Sequence, residues 1–354
     1  MCVTSCCFAN PQAPEPRLVP GARSLAALLD EPASWYAGAE ATAIAETVLL
    51  YQRSAGGWPK NVDMTRPTTP ALRAGLEDER ELNDATIDNG ATYTQIRFLA
   101  SIEQARSDAR VRRAVIAGLD YLLTAQYPNG GWPQYFPLRT NYSRNITYND
   151  GAMVGVIRLL RDVGAGTPPF AFVDETRRGR ARDAVARGLS VILTSQVTAN
   201  GTKTVWCAQH DPLTLAPVGA RAYEHPSLSG SESVAIVELL MEVPNPDARV
   251  VEAIERAVAW FRAVQLEGVR VQWRRLSDAP RDVDVVVVAD PSAAPLWARF
   301  YEIGTNRPIF SGRDGVVKYS LAEIERERRT GYSWYGEYAA ALLATRYPAW
   351  RARR

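Results

Sequence analysis

Apolar residues recur at intervals of three and four along most of the chain, as on one face of an α-helix. One such run ends at Pro128–Gly131, a Pro/Gly-rich segment that cannot continue a helix. The next run begins just after Asp150, and an Asp in that position is a natural helix cap. The pattern predicts helices at roughly 25–36, 40–51, 91–104, 111–126, 151–163, 181–196, 231–242, 249–266, 322–329 and 338–347.

This unit of helix and loop is repeated. The segment from Gln52 to Trp58 matches the segment from Gln126 to Trp132 at an offset of 74 residues. Fainter copies follow at offsets of 70 and 69 residues, with Gln196 and Trp206 in one and Gln265 and Trp273 in the other. A further helix start follows each copy, at 88–91, 149–152, 229–232 and 334–337. Stacked helix pairs bury a continuous core and leave their loops at two ends. The repeat predicts a mainly all-α fold, an α/α toroid of antiparallel helix pairs, with a helical solenoid as the alternative.

The connections between the helices are long. Polar or aromatic loops are expected at 53–87, 127–150 and 197–230, and loops of this length inside a domain are usually functional. A few short strands are expected, one within 202–208 and one at 282–290. The Pro-rich N-terminus predicts a disordered tail over 1–24. No linker divides the rest of the chain, which predicts a single domain over 25–354.

Composition narrows the choice of partners. The chain has 354 residues, is 46% hydrophobic and carries a net charge of +2, so nothing in its overall charge calls for nucleic acid or a membrane. Three of the four cysteines lie in the first seven residues, which is not a disulfide framework. The first 20 residues lack the apolar core of a signal peptide, and no run of about 18 apolar residues predicts a membrane span. We expect a monomer.

Two acidic pairs, Asp88-Asn89 and Asn149-Asp150, lie at equivalent helix starts, so adjacent repeats would bring them close together. Oxygen ligands of this kind suit a hard cation such as Ca²⁺. The alternative is that both pairs only cap the helices that follow them, as Asp and Asn often do. The residues alone favour this cap interpretation over a cation site. His210 and His225 are the only histidines and are interpreted as hydrogen-bonding loop residues. No Cys/His spacing predicts zinc.

Several basic side chains lie in the predicted loops. Arg221, Arg299 and Arg313, together with Lys60, would make a site for a polyanionic substrate if one rim gathered them, since arginine forks bind carboxylates. Taken singly, each is more often an ordinary surface or ion-paired residue. Aromatic residues in the same loops could stack on sugar rings. The group comprises Trp58, Trp132, Trp206, Tyr332, Trp334 and Tyr335, of which the first two recur with the repeat and are interpreted as structural plugs.

Nine motifs follow one another between about residues 40 and 350: GGWPKN (56–61), TIDNGATYTQIRFL (86–99), YPNGGWPQYFPLR (127–139), ITYNDGAM (146–153), TVWCAQHDPLTLAP (204–217), ARAYEHPSLSGSES (220–233), RFYE (299–302), RDG (313–315) and GYSWYG (331–336). In this order they resemble the pectate lyases of polysaccharide lyase family 10. The repeated Gln and Trp are also similar to those of triterpene cyclases, whose acidic Asp-x-Asp-Asp motif the chain lacks.

The family 10 resemblance implies Ca²⁺-dependent cleavage of α-1,4-polygalacturonate by anti-β-elimination, which leaves a 4,5-unsaturated product. It implies Asp88, Asn89 and Asp150 as metal ligands and Arg221 as the base. Lys60, Arg299, Arg313 and Tyr335 would contact the substrate. A pectic substrate implies a secreted, periplasmic or outer-surface enzyme. The alternatives are a non-catalytic pectin- or glycan-binding protein and a uronide hydrolase on the same toroid.

Overall fold

Helices provide the framework of the computed structural model, which describes residues 23–277, 279 and 282–354. The α-helices are α1 Ala39–Leu50, α2 Pro70–Asp78, α3 Tyr93–Arg106, α4 Ala109–Ala125, α5 Ala152–Ala165, α6 Glu175–Ser195, α7 Glu232–Met241, α8 Ala248–Ala263, α9 Arg326–Thr330 and α10 Tyr347–Ala352. Short 3₁₀ turns occupy Ala27–Asp30, Trp35–Ala37, Glu79–Glu81, Asp88–Gly90, Tyr142–Arg144, Asn149–Gly151 and Leu321–Glu323, and a π-helical turn, Leu342–Arg346, leads into α10.

The strands are short and lie between the helices. They are β1 Ile146–Thr147, β2 Thr198–Ala199, β3 Thr202–Lys203, β4 Gln209–His210, β5 Leu228–Ser229, β6 Val269–Arg275, β7 Val283–Ala289, β8 Trp297–Ala298, β9 Phe300–Tyr301, β10 Phe310–Ser311, β11 Val317–Lys318 and β12 Tyr335–Gly336. All pair antiparallel and two by two, as β1–β4, β2–β3, β5–β9, β6–β7, β8–β12 and β10–β11.

The helices lie in two layers. Helices α3, α5 and α7 lie side by side, while α4, α6 and α8 form a second row behind them and α1 packs against α3 and α4. The connection between α3 and α4 is only two residues long, which makes these neighbours antiparallel. The mainly helical class predicted from the sequence is confirmed, and the two rows of helix pairs are consistent with the α/α toroid.

The repeated glutamine joins one helix pair to the next. Gln126 donates from Nε2 to the carbonyl of Gly130, at 3.0 Å, in its own loop and to that of Ala184, at 2.9 Å, in the following repeat. Gln52 and Gln196 make the same two bonds in their own repeats. The first bond satisfies a loop carbonyl, and the second adds a donor to a carbonyl inside the helix of the next repeat and so ties the two repeats together.

The repeated tryptophan plugs each helix pair. Trp58, Trp132 and Trp206 are all fully buried. Each indole N–H donates to a carbonyl of the preceding outer helix at 2.7–2.8 Å, the acceptors being those of Val48, Leu122 and Ile192. The interpretation of Trp58 and Trp132 as structural plugs fits this packing.

The prediction that Trp273 belongs to the fourth copy of the repeat is wrong, because Trp297 takes that role. Trp273 lies on β6 and is only partly buried, whereas Trp297 is 1% exposed and donates to the carbonyl of Phe261 at 2.9 Å. The hairpin of β6 and β7 separates Trp297 from the helix that it plugs. Gln265 also lacks the bridging role, because its Nε2 donates to Glu267.

Sequence periodicity located most helices to within a few residues. It missed α2, which lies inside the predicted loop 53–87 and is capped by the Thr69 side chain at the Leu72 N–H. The strand expected at 282–290 is β7, whereas the strand expected within 202–208 covers only β3. The tail predicted over 1–24 falls, up to residue 22, outside the described residues. In the part of the chain that the structure describes, no helix could cross a membrane.

Candidate functional site

Two equivalent turns present the acidic pairs. Asn89 and Asp150 each occupy the central position of a single 3₁₀ turn with positive φ, 51° and 50° respectively. Asn and Asp tolerate this left-handed conformation better than most side chains do. Neither turn caps the helix that follows, because neither α3 nor α5 has a side-chain hydrogen bond at its N-cap. The cap interpretation of the two acidic pairs is therefore wrong for both.

The turns open onto a cleft of about 640 Å³ at one end of the helix rows. The residues lining it come from several repeats and include Lys60, Asn61, Asn89, Asp150, Arg221, Glu232, Arg299, Tyr332 and Tyr338. A smaller adjoining cavity of about 160 Å³ shares several of these residues and adds Asp88, Tyr142, Glu224 and His225. The sequence placed its candidate residues in loops at one end, and six of the eight meet here.

Lys60 and Asp88 form an ion pair at the border of the two cavities. Asp88 is 1% exposed, and its second oxygen, Oδ1, has no hydrogen-bond partner among the described residues. Burial alone would lower the pKa of Lys60, but the charge of Asp88 outweighs it and raises that pKa. The amide of Asn89 donates to Asn61 Oδ1 at 3.0 Å, which holds the neighbouring turn.

Arg299 is held among acceptors on one wall of the larger cleft. Its Nη2 is paired with Glu232 Oε1 at 2.5 Å and donates to Asp150 Oδ1 and Asn149 Oδ1, each at 3.3 Å. Its side chain is only 11% exposed. Burial disfavours the charged form, yet Glu232 and the other nearby groups keep the pKa of Arg299 above its ordinary value. Arg299 therefore orients Asp150 as well as facing the cleft.

Arg221 lines both cavities and lies in a tight turn. The turn is closed by the Glu224 N–H, which donates to the Arg221 carbonyl at 2.8 Å. The guanidinium donates to Glu224 from Nε at 2.8 Å and from Nη2 at 2.5 Å. It lies 4.9 Å above the Tyr223 ring and 5.6 Å above the Tyr332 ring. Burial opposes the charge, but the Glu224 carboxylate outweighs it and raises the pKa of Arg221 above its ordinary value.

Arg313 and Tyr335, two predicted substrate contacts, are not among the described residues that line the two cavities. Arg313 is 66% exposed and pairs with Glu327 at 3.0 Å. Tyr335 lies on β12 with its ring 5.2 Å from that of Phe310. The structure thus brings the other six predicted residues together and leaves these two outside.

The histidines differ in their surroundings. His210 is fully buried, accepts from the Cys207 N–H at 3.1 Å through Nε2 and meets the Leu215 carbonyl at 2.8 Å through Nδ1. Burial lowers its pKa to about 4, so the ring is neutral at physiological pH. His225 faces the smaller cavity and lies 3.1 Å from Ser311 Oγ. Both fit the interpretation of hydrogen-bonding loop residues.

The acidic side chains at the two turns differ from a metal site built of clustered carboxylates, histidines or cysteines. No group of three or more His, Cys, Asp and Glu side chains with metal-binding geometry occurs over residues 23–277, 279 and 282–354. The donors at the two turns are instead carboxylate and amide oxygens, the kind that Ca²⁺ prefers. Asp88 Oδ1 is a buried acceptor that no described donor satisfies. The oxygen chemistry at Asp88, Asn89 and Asp150 therefore fits a hard cation.

Sequence reasoning missed Glu224 and Glu232, and it considered Tyr332 only as an aromatic residue that could stack on a sugar ring. Glu232 ends the third of the four equivalent helix-start segments, whose first two members carry the acidic pairs. Comparing all segments position by position would have found it. Glu224 lies three residues after Arg221, a spacing that carries no special meaning outside a helix. Its pairing depends on the turn and on Tyr332, which is 108 residues away in the chain.

Comparisons with known proteins identify the family and the fold. A family model described as pectic acid lyase matches residues 52–343. A solved family 10 polysaccharide lyase from Cellvibrio cellulosa is 35% identical, with a TM-score of 0.73 over 88% of this chain and 93% of that one. An aspartate-to-alanine mutant of that enzyme, in complex with trigalacturonic acid, matches with the same identity and TM-score over 88% of this chain and 95% of that one. No protein with a curated description matches the chain.

Proposed function

Because the chain belongs to the pectic acid lyases, in polysaccharide lyase family 10, we propose that it cleaves α-1,4-polygalacturonate by anti-β-elimination with Arg221 as the base. The observation that carries this proposal is the position of Arg221, which lines both cavities together with the turns of Asp88 and Asp150. A cleft lined by basic groups and by carboxylate and amide oxygens suits a polymer that carries a carboxylate on every sugar.

The cation is proposed to be Ca²⁺, held by Asp88, Asn89 and Asp150. When bound, Ca²⁺ would neutralise the uronate carboxylate and so make the adjacent C5 proton more acidic. The chain's own contribution begins with Arg299, which fixes Asp150 by a hydrogen bond of 3.3 Å and presents positive charge to the same cleft. Lys60 presents a second positive charge beside Asp88.

The chemical step transfers one proton to Arg221. A neutral Arg221 guanidine takes the C5 proton, and the C5–H electron pair forms the C4–C5 double bond. The C4–O bond to the next sugar breaks, and water protonates the departing oxygen. Positive side chains around the uronate stabilise the charge that develops on it. The hydroxide that remains takes up the proton from Arg221 and regenerates the neutral base, so water is not added to the substrate and the reaction is not a hydrolysis.

The charge state of Arg221 sets the pH at which this step can occur. Because Glu224 raises the pKa of Arg221, the neutral form is scarce at neutral pH and grows as the pH rises. The proposed enzyme is therefore expected to be most active at alkaline pH. The polymeric substrate also supports the proposal that the protein acts outside the cell or in the periplasm.

The test is the ultraviolet absorbance of unsaturated product from polygalacturonate at alkaline pH. We expect a rise with Ca²⁺ that chelator abolishes, and a loss of at least about 10³-fold in kcat for Arg221→Ala. Arg249→Ala serves as a control, because Arg249 is 77% exposed, pairs with Asp247 at 2.9 Å and lines neither cavity. If the folded protein binds pectate without any rise in absorbance, the lyase proposal fails and a binding role takes its place. Release of saturated sugars would indicate a hydrolase.

A further inference from the structure

Arg221 and Glu224 meet edge to edge. Two guanidinium nitrogens, Nε and Nη2, donate to the two oxygens of one carboxylate, and the Arg221 backbone N–H donates to the same group at 3.1 Å. This fork arrangement fixes the plane of the guanidinium as well as its position. The third nitrogen, Nη1, takes no part in the pair.

Glu224 is itself held firmly. It is 8% exposed, and Oε1 accepts a hydrogen bond of 2.7 Å from the Tyr332 hydroxyl. Burial favours the neutral acid, but Arg221 and the Tyr332 bond outweigh it and lower the pKa of Glu224, so the carboxylate is charged. Tyr332 also packs 5.6 Å below the guanidinium and 4.8 Å from that of Arg299. A rigid aromatic wall therefore supports both arginines of the cleft.

We propose that Glu224, fixed by Tyr332, is the positioning residue that turns Nη1 of Arg221 toward the substrate. This inference rests on the proposed function, since it concerns the base of that same reaction. A base must lie within hydrogen-bond reach of the proton that it removes, and a misplacement of about 1 Å costs about 10²-fold in rate. Arg221 is 40% exposed in its side chain, so the cleft alone does not fix it.

The role is a compromise between two requirements. The carboxylate that aims the guanidinium also stabilises its protonated form, which cannot act as a base. Removing the charge while keeping the shape should therefore have two separable effects. The pH needed for activity should fall, because the neutral guanidine of Arg221 becomes easier to form. The maximal rate should also fall, because the guanidine is no longer held in its orientation toward the substrate.

The experiment measures kcat and KM against pH, in saturating Ca²⁺, for the wild type, Glu224→Gln and Glu224→Asp. For Glu224→Gln we expect the rise of kcat to move by about one pH unit or more toward neutral and to level off at a rate about tenfold or more below the wild-type maximum. For Glu224→Asp, which keeps the charge but shortens the reach, we expect kcat to fall about tenfold or more with KM within about twofold and little movement in pH.

Glu103→Gln is the matched control. Glu103 is 2% exposed and accepts hydrogen bonds from Arg112 Nε at 2.8 Å and Arg112 Nη2 at 2.6 Å. It lies in the last turn of α3 and lines neither cavity. This variant should keep the wild-type pH profile. The inference is overturned if the pH profile of Glu224→Gln superimposes on that of the wild type, or if kcat of Glu224→Asp is unchanged. The second result decides alone if Glu224→Gln does not fold. A wild type without lyase activity would overturn the proposed function instead.

Discussion

Lys60 pairs with Asp88 in the free protein, so an ammonium group occupies one oxygen of a carboxylate proposed to bind Ca²⁺. The other oxygen of Asp88 is buried and without a described partner. The ion pair offsets the cost of keeping this carboxylate charged inside the protein. It also means that a cation has to compete with Lys60 for Asp88.

Lys60→Met removes this competitor and keeps most of the aliphatic stem. We expect the free protein to bind Ca²⁺ more tightly by roughly tenfold, which is about 1.4 kcal/mol, as measured by calorimetry without substrate. Lys203→Met is the control, since Lys203 pairs with Glu252 at 3.2 Å on the surface. Equal or weaker Ca²⁺ binding by Lys60→Met would show that Lys60 does not compete.

Arg313 is proposed to contact only long substrates, because it is exposed and lies outside both cavities. Arg313→Ala should raise KM for polygalacturonate about two- to fivefold, the value of an exposed ionic contact, and leave KM for trigalacturonate unchanged. Steady-state kinetics on the two substrates measure the difference. An equal change for both substrates would place Arg313 at the cleft itself, and no change for either would remove it from the substrate path.

Gln196 should contribute far more to stability than its counterpart in the fourth copy. It is 5% exposed and bridges the carbonyls of Thr204 and Ala253, each at 2.9 Å. Gln196→Ala leaves the Thr204 carbonyl without this donor and breaks the tie to the Ala253 carbonyl inside α8, so we expect a loss of about 1–3 kcal/mol in the free energy of unfolding. Gln265→Ala should cost less than about 0.5 kcal/mol. Denaturant unfolding measures both, and equal losses would contradict the bridging role.

His210 should make the fold sensitive to acid. Its pKa is lowered from 6.5 to about 4 in the folded state, so the unfolded chain binds a proton more readily. Stability is therefore complete above about pH 6.5 and is lost as the pH falls toward 4, by on the order of 3 kcal/mol. His210→Gln should flatten the dependence of unfolding free energy on pH in that window. A slope equal to the wild type's would show that other groups cause it.

The repeat was predictable because its residues act locally. Trp58 and Trp132 each bond a carbonyl ten residues earlier, so sequence spacing records the contact. The fourth plug lies 36 residues from its acceptor, because the β6–β7 hairpin intervenes. Spacing therefore predicts the nearer Trp273 and cannot identify Trp297.

The site was only partly predictable for a related reason. The turns of Asp88 and Asp150 occupy equivalent positions in the repeat, so the sequence alone predicts that they are equivalent. The ion pair of Arg299 with Glu232 spans 67 residues and that of Lys60 with Asp88 spans 28. Such partners are selected by the packing of helix ends, which no local pattern encodes. The resemblance to a known family supplied the residues, but not the contacts that hold them.

The cleft gathers Lys60, Asp150, Arg221 and Arg299 from successive repeats. A ribosome makes the chain from its first residue, so the binding groups become available one repeat at a time. No complete cleft can form before Arg299 and Tyr332 have left the exit tunnel and packed against the earlier helices. During synthesis the growing chain is thus an inert precursor, and activity appears only when the last repeat is in place.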